Sequence, residues 1–124
     1  LNVASAAAFQ PGPLMSTYYA TKSYVYQLTE ALYYEEKIKK TKVHVSVLCP
    51  GPVDTNFNNV ANVKFSVKPL KSTYVAKYAI DKMLEGKLLI IPGFKMKCAR
   101  FFGKFVPNKL MLKITYNIQK KKAS

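Results

Sequence analysis

The 124-residue sequence predicts an α/β fold built on a parallel sheet, and three observations carry that prediction. Runs dense in branched apolar residues, 43 to 49 and 88 to 91, read as buried strands. Longer segments with apolar residues three and four apart, 16 to 38 and 72 to 85, read as helices lying between strands. Pro50-Gly51 and Pro92-Gly93 close the two strands. Strands that alternate with helices are joined by right-handed crossovers and run parallel.

Taken in order, residues 1 to 5 read as the end of a strand already in progress. Pro11, Gly12 and Pro13 make 10 to 13 a loop. Ser16 or Thr17 is expected to cap the first helix. Val25, Leu28 and Leu32, with Tyr24 and Ala31 beside them, supply its apolar stripe, while Glu30, Glu35, Glu36, Lys37, Lys39 and Lys40 face solvent. The basic end suits the negative pole of the helix dipole. Ser72 is expected to cap the second helix, with Val75, Ala79, Ile80, Met83 and Leu84 apolar and Gly86 ending it. Beyond Gly93, Phe94, Cys98, Phe101, Phe102 and Phe105 fall at helical spacing. Pro107 opens a last helix with Met111, Ile114 and Ile118 as its stripe. No repeat or low-complexity linker divides the chain, which reads as a single domain over 1 to 124.

Charge narrows the function classes. The formal net charge is +14, and after Glu85 no acidic residue stands against ten lysines and arginines. A basic amphipathic tail suits an anionic membrane surface. Its aromatic face could equally cover a hydrophobic substrate pocket, or pack on protein. No nucleic-acid module accompanies the charge, so no nucleic-acid partner is expected. Cys49 and Cys98 lack the spacing of a disulfide framework and read as free thiols of a reducing, cytoplasmic compartment. His44 is the only histidine; it reads as a strand residue, and no metal site is expected.

Tyr18 and Lys22 are the residues from which chemistry can be built. They stand four apart in the first helix, so the phenol and the ammonium share a face and can meet one ligand. A nearby cation favours the phenolate, which otherwise forms only near pH ~10, and so readies the group for proton transfer near neutrality. Neighbouring Tyr19 lacks the spacing to Lys22. Ser5 and Pro50-Gly51 fall at the carboxyl ends of expected strands, where open α/β sheets bind ligands.

Asn2-Val3-Ala4-Ser5, then Tyr18-x-x-x-Lys22, then Pro50-Gly51-Pro52-Val53-Asp54-Thr55 resembles, in order and spacing, the short-chain dehydrogenase/reductase family. The resemblance covers essentially the whole chain. It implies the C-terminal half of a Rossmann-like doubly wound parallel sheet with a helical basic tail. It also implies hydride transfer between NAD or NADP and a carbonyl or alcohol. In that scheme Tyr18 is the general acid or base, and Ser5 orients the substrate oxygen. Lys22 lowers the tyrosine pKa and holds the nicotinamide ribose. Cofactor binding extends to Pro50, Gly51, Pro52 and Val53 through their backbone and to Thr55 through its hydroxyl. Residues 58 to 72 would form a variable substrate loop, and the phenylalanine-rich tail suggests a hydrophobic carbonyl compound. The five glycines are too scattered for the family's pyrophosphate turn, so an N-terminal dinucleotide-binding half is expected as a missing partner before Leu1. Family resemblance further implies a homo-oligomer packed through the Tyr-Lys helix. A different class also fits: a non-catalytic binding or interaction module that keeps the fold, at a lipid surface.

Overall fold

The structure is a computed structural model that describes residues 1–56 and 67–123. Most of the expected substrate loop, 58 to 66, lies outside the described residues. Three short strands, β1 (Asn2–Val3), β2 (Val47–Leu48) and β5 (Leu89–Ile90), form one sheet in the order β1-β2-β5, parallel throughout. A separate parallel pair joins β3 (Val53–Asp54) to β4 (Leu70–Lys71). The helices are α1 (Ser16–Ile38), α2 (Ser72–Leu84), α3 (Phe94–Gly103) and α4 (Asn108–Ala123). The α/β architecture is therefore the one expected from alternating elements.

Side chains alternate across β2 as a strand requires, and they build two cores. Val47 and Cys49 pack with Ala4, Ala8, Tyr26 and Ile91. Leu48 packs on the opposite face with Val75, Ala79 and Ile90. α1 therefore covers one face through Tyr26 and α2 the other through Val75 and Ala79, giving a sheet wrapped on both sides.

The second strand is shorter than expected over 43 to 49. Its ladder starts where Asn2 N donates to Ser46 O and Val47 N donates to Leu88 O, and it ends where Ala6 N donates to Pro50 O. Val43 and His44 lie outside it and are exposed, because neither neighbouring strand offers them a partner.

Helix faces also differ from the expected ones. α1 starts at Ser16 with Met15 in the cap position and no side-chain cap, so neither Ser16 nor Thr17 caps it. It buries Tyr19, Tyr26 and Thr29, whereas Tyr24 and Leu28 are exposed. The reason for a buried threonine is local: Asn2 Nδ2 donates to Thr29 Oγ1 at 2.9 Å, so a polar strand residue meets a polar helix residue. Lys71, not Ser72, holds the cap position of α2. Gly86, at φ +74°, ends that helix as expected, with Gly86 N donating to Met83 O.

Candidate active site

Where β1 and β2 end, the chain leaves the sheet in two turns, and both are fastened to the framework. Ser5 caps the 3-10 turn Ala6–Phe9, its Oγ accepting from Ala7 N at 3.1 Å. That bond uses the hydroxyl oxygen as an acceptor and not its proton. Pro50 O accepts from Ala6 N at 2.9 Å and Pro52 O from Leu70 N at 3.0 Å, which fixes the turn between them. Gly51 lets Met96 come close: a Cβ would stand 2.7 Å from Met96 Cγ, so a larger residue there would displace that side chain.

These turns frame a cavity of about 440 Å³, within the range of small-molecule sites. Ser5, Tyr18, Pro50, Gly51, Pro52, Val53 and Thr55 all line it. Lys22 does not line it. Its ammonium sits one helical turn beyond Tyr18, 5.9 Å from the centre of that ring, and donates to Val3 O at 3.4 Å. An ammonium carries three protons, so this contact leaves two for another acceptor.

Tyr18 and Tyr19 meet edge to face with ring centres 6.1 Å apart, but their surroundings differ. Tyr19 is buried, accepts a hydrogen bond from Gln119 Nε2 of α4, and is pushed above the usual phenol pKa by that burial. It is a fastening between α1 and α4. Tyr18 is half-buried at the cavity wall. Cys49, wholly buried at the end of β2, is pushed up to about 12 by burial and stays a neutral thiol near neutral pH.

The other side of the cavity is closed by α3 and α4 with residues the sequence did not single out. Met96, Ala99, Arg100 and Gly103 line it from α3, and Met111, Ile118 and Gln119 from α4. The expected aromatic face is turned the other way: Phe94, Phe101, Phe102 and Phe105 are exposed, and none of them lines the cavity. On α4 the buried residues are Thr115 and Gln119, while Ile114 and Ile118 are partly exposed. One available signal was that Arg100 is the only arginine in the sequence. Among the described residues no cluster of side chains could hold a metal ion.

The short chain dehydrogenase family profile matches residues 1–64, about half of the chain, and the chain belongs to that family. No curated protein matches it significantly. Among solved structures it is similar to a short-chain dehydrogenase from Sphingobium yanoikuyae in complex with NADPH. That match has a TM-score of 0.68 and 23% identity, and covers 84% of this chain and 40% of that one. A short chain dehydrogenase from Burkholderia cenocepacia in complex with NADP gives a TM-score of 0.70 at 19% identity, covering 88% and 44%. A chain from Novosphingobium aromaticivorans is 29% identical at a TM-score of 0.62, covering 84% and 35%. The chain thus spans less than half the length of each of these structures.

Proposed function

We propose that the chain is the catalytic and substrate side of an NAD(P)-dependent oxidoreductase acting on a carbonyl or alcohol. The observation that carries this reading is the meeting of Ser5, Tyr18 and the 50 to 55 turn, from three separate segments, around one cavity. Family membership and the NADP-type cofactors named for two similar structures support it.

The polar groups suit the nicotinamide-ribose part of such a cofactor. Lys22 has two protons free of Val3 for ribose hydroxyls, and the 50 to 53 turn and Thr55, which line the cavity, suit the carboxamide. When bound, the cofactor supplies or accepts the hydride. The chain manages the oxygen. Ser5, with its own oxygen anchored on Ala7 N, donates its proton to the substrate oxygen and fixes its direction. Tyr18 gives that oxygen its phenolic proton during reduction, or removes the proton from an alcohol during oxidation. Lys22 stabilises the phenolate left behind. Apolar Phe9, Met15 and Met96 exclude water from the reacting carbon.

In the full-length protein, Tyr18→Phe is expected to lower kcat/KM by about 10²- to 10⁴-fold, the usual range for a lost general acid, with the fold intact. Turnover matching the parent protein would refute the assignment.

A second reading, peripheral contact with an anionic membrane, rests on α3. The exposed rings of Phe101, Phe102 and Phe105 cluster with centres 5.4 and 5.6 Å apart, beside exposed Lys95, Lys97 and Lys104. No helix among the described residues is long and apolar enough to cross a membrane. Sedimentation of the full-length protein with phosphatidylserine vesicles at low and high salt tests it: salt-sensitive binding is expected, and no binding contradicts it.

A further inference from the structure

We propose that Arg100 makes one end of the cavity a carboxylate-binding subsite, so that the substrate is an apolar carbonyl or alcohol compound bearing an acidic group away from the reacting carbon. This rests on the reading of the cavity as a substrate site.

Arg100 lines the cavity, and its guanidinium lies 4.3 Å over the Phe9 ring. That stacking holds the planar fork in place without using its donors. Its Nε is buried and has no hydrogen-bond partner, a costly state in a folded protein. The ion pairs among the described residues are Lys39–Glu36, Lys77–Asp81 and Lys82–Glu85, and none includes Arg100. Glu30, the carboxylate whose charge is felt nearby, already accepts the proton of Tyr26 Oη. Part of the guanidinium is directed at Tyr26 Oη, where its hydrogen bonding and charge oppose the rise in that phenol's pKa caused mainly by burial, and the buried Nε is the donor left unmet.

Apolar Phe9, Met96, Ala99 and Met111 line the cavity along with Arg100, and Phe9 lies directly under its guanidinium. The two amides that line the cavity, Gln10 and Gln119, are both directed at Tyr19. A charged fork with a buried, unmet donor is completed by an acceptor of opposite charge and matching plane, and a carboxylate has both. Reduced water access strengthens the pair. A lysine would offer a point charge without the stacking or the fork, and the single arginine of a chain otherwise basic through lysine stands at this wall.

The test compares two aldehydes with the full-length protein, nonanal and 9-oxononanoate, by oxidation of NADH or NADPH. It is run on the parent, Arg100→Met and Arg100→Lys. The parent is expected to favour the oxo acid by about 10- to 100-fold in kcat/KM, chiefly through KM, as a charge-assisted bidentate contact allows. That preference is expected to collapse toward equality in Arg100→Met and to recover partly in Arg100→Lys. A second readout needs no turnover: decanoate, but not decanol, is expected to raise the melting temperature of the parent and not of Arg100→Met. Equal use of both aldehydes by the parent overturns the proposal, as does a decanoate shift that survives Arg100→Met. If neither aldehyde is reduced but the Arg100-dependent decanoate shift is present, the subsite stands and the oxidoreductase reading fails. Should Arg100→Met not fold, the proposal is decided by the parent's aldehyde preference and by its reduction in Arg100→Lys.

Discussion

Two adjacent tyrosines show how residue-scale surroundings divide labour. Tyr18 faces the cavity, while Tyr19 is buried and tied to Gln119. The four-residue spacing to Lys22 made Tyr18 legible in the sequence, because helical geometry is local. Tyr19, Gln119 and Arg100 were not legible, since the Tyr19–Gln119 bond joins residues 100 apart and Arg100 gains its meaning only where it meets Phe9. The packing around Tyr19 gives a direct check. Gly12 lies so close that any Cβ there would overlap the Tyr19 ring. Gly12→Ala is expected to destabilise the protein by about 1–3 kcal/mol, the usual cost of overpacking, measured as a lower denaturant midpoint. An unchanged midpoint would show that the ring is not held there.

At the scale of elements, the order of the three-stranded sheet and its helices and the parallel pairing followed from hydrophobic period and from Pro-Gly punctuation, both local signals, whereas the β3–β4 pair, two residues a side, carried no such signal. Helix faces did not follow. Period identifies two faces of α3, but what lies opposite decides which one turns inward. A cavity wall needing Met96 and Arg100 left the phenylalanines outside. In α4 the hydroxyl of Tyr19 drew Gln119 inward, and Thr115 satisfied itself on Met111 O at 2.8 Å. The outward rings make the vesicle experiment sharper. Phe101 is 57% and Phe102 65% exposed, so replacing both by serine is expected to leave the melting temperature nearly unchanged while abolishing vesicle binding. A double variant that unfolds would mean that these rings serve packing instead.

At the scale of the whole molecule, three weakly acidic groups, Cys49, Tyr19 and Tyr26, are held neutral, all chiefly by burial. Each has a folded-state pKa above its unfolded value, so its contribution to stability is complete below the unfolded pKa and is lost as pH rises through the folded one. The window opens near pH ~8.5 for the thiol, extends toward about 12 for Cys49, and begins near ~10 for the phenols. Unfolding free energy is therefore expected to fall steadily above about pH 9, and Cys49→Ala to make the early part of that fall shallower. A flat profile from neutrality to pH ~11 would contradict the burial of these groups.

The charge of +14 and the doubly covered sheet describe a framework, but the central claim concerns one phenol at the framework's ligand-binding end. It is tested most directly in the full-length protein by kcat/KM for carbonyl reduction, comparing Tyr18→Phe with its neighbour Tyr19→Phe at matched foldedness. Loss of about 10²-fold or more in Tyr18→Phe, with Tyr19→Phe impaired mainly in stability, is the predicted result. Equal activities of Tyr18→Phe and the parent, or a larger catalytic loss from Tyr19→Phe, would contradict it.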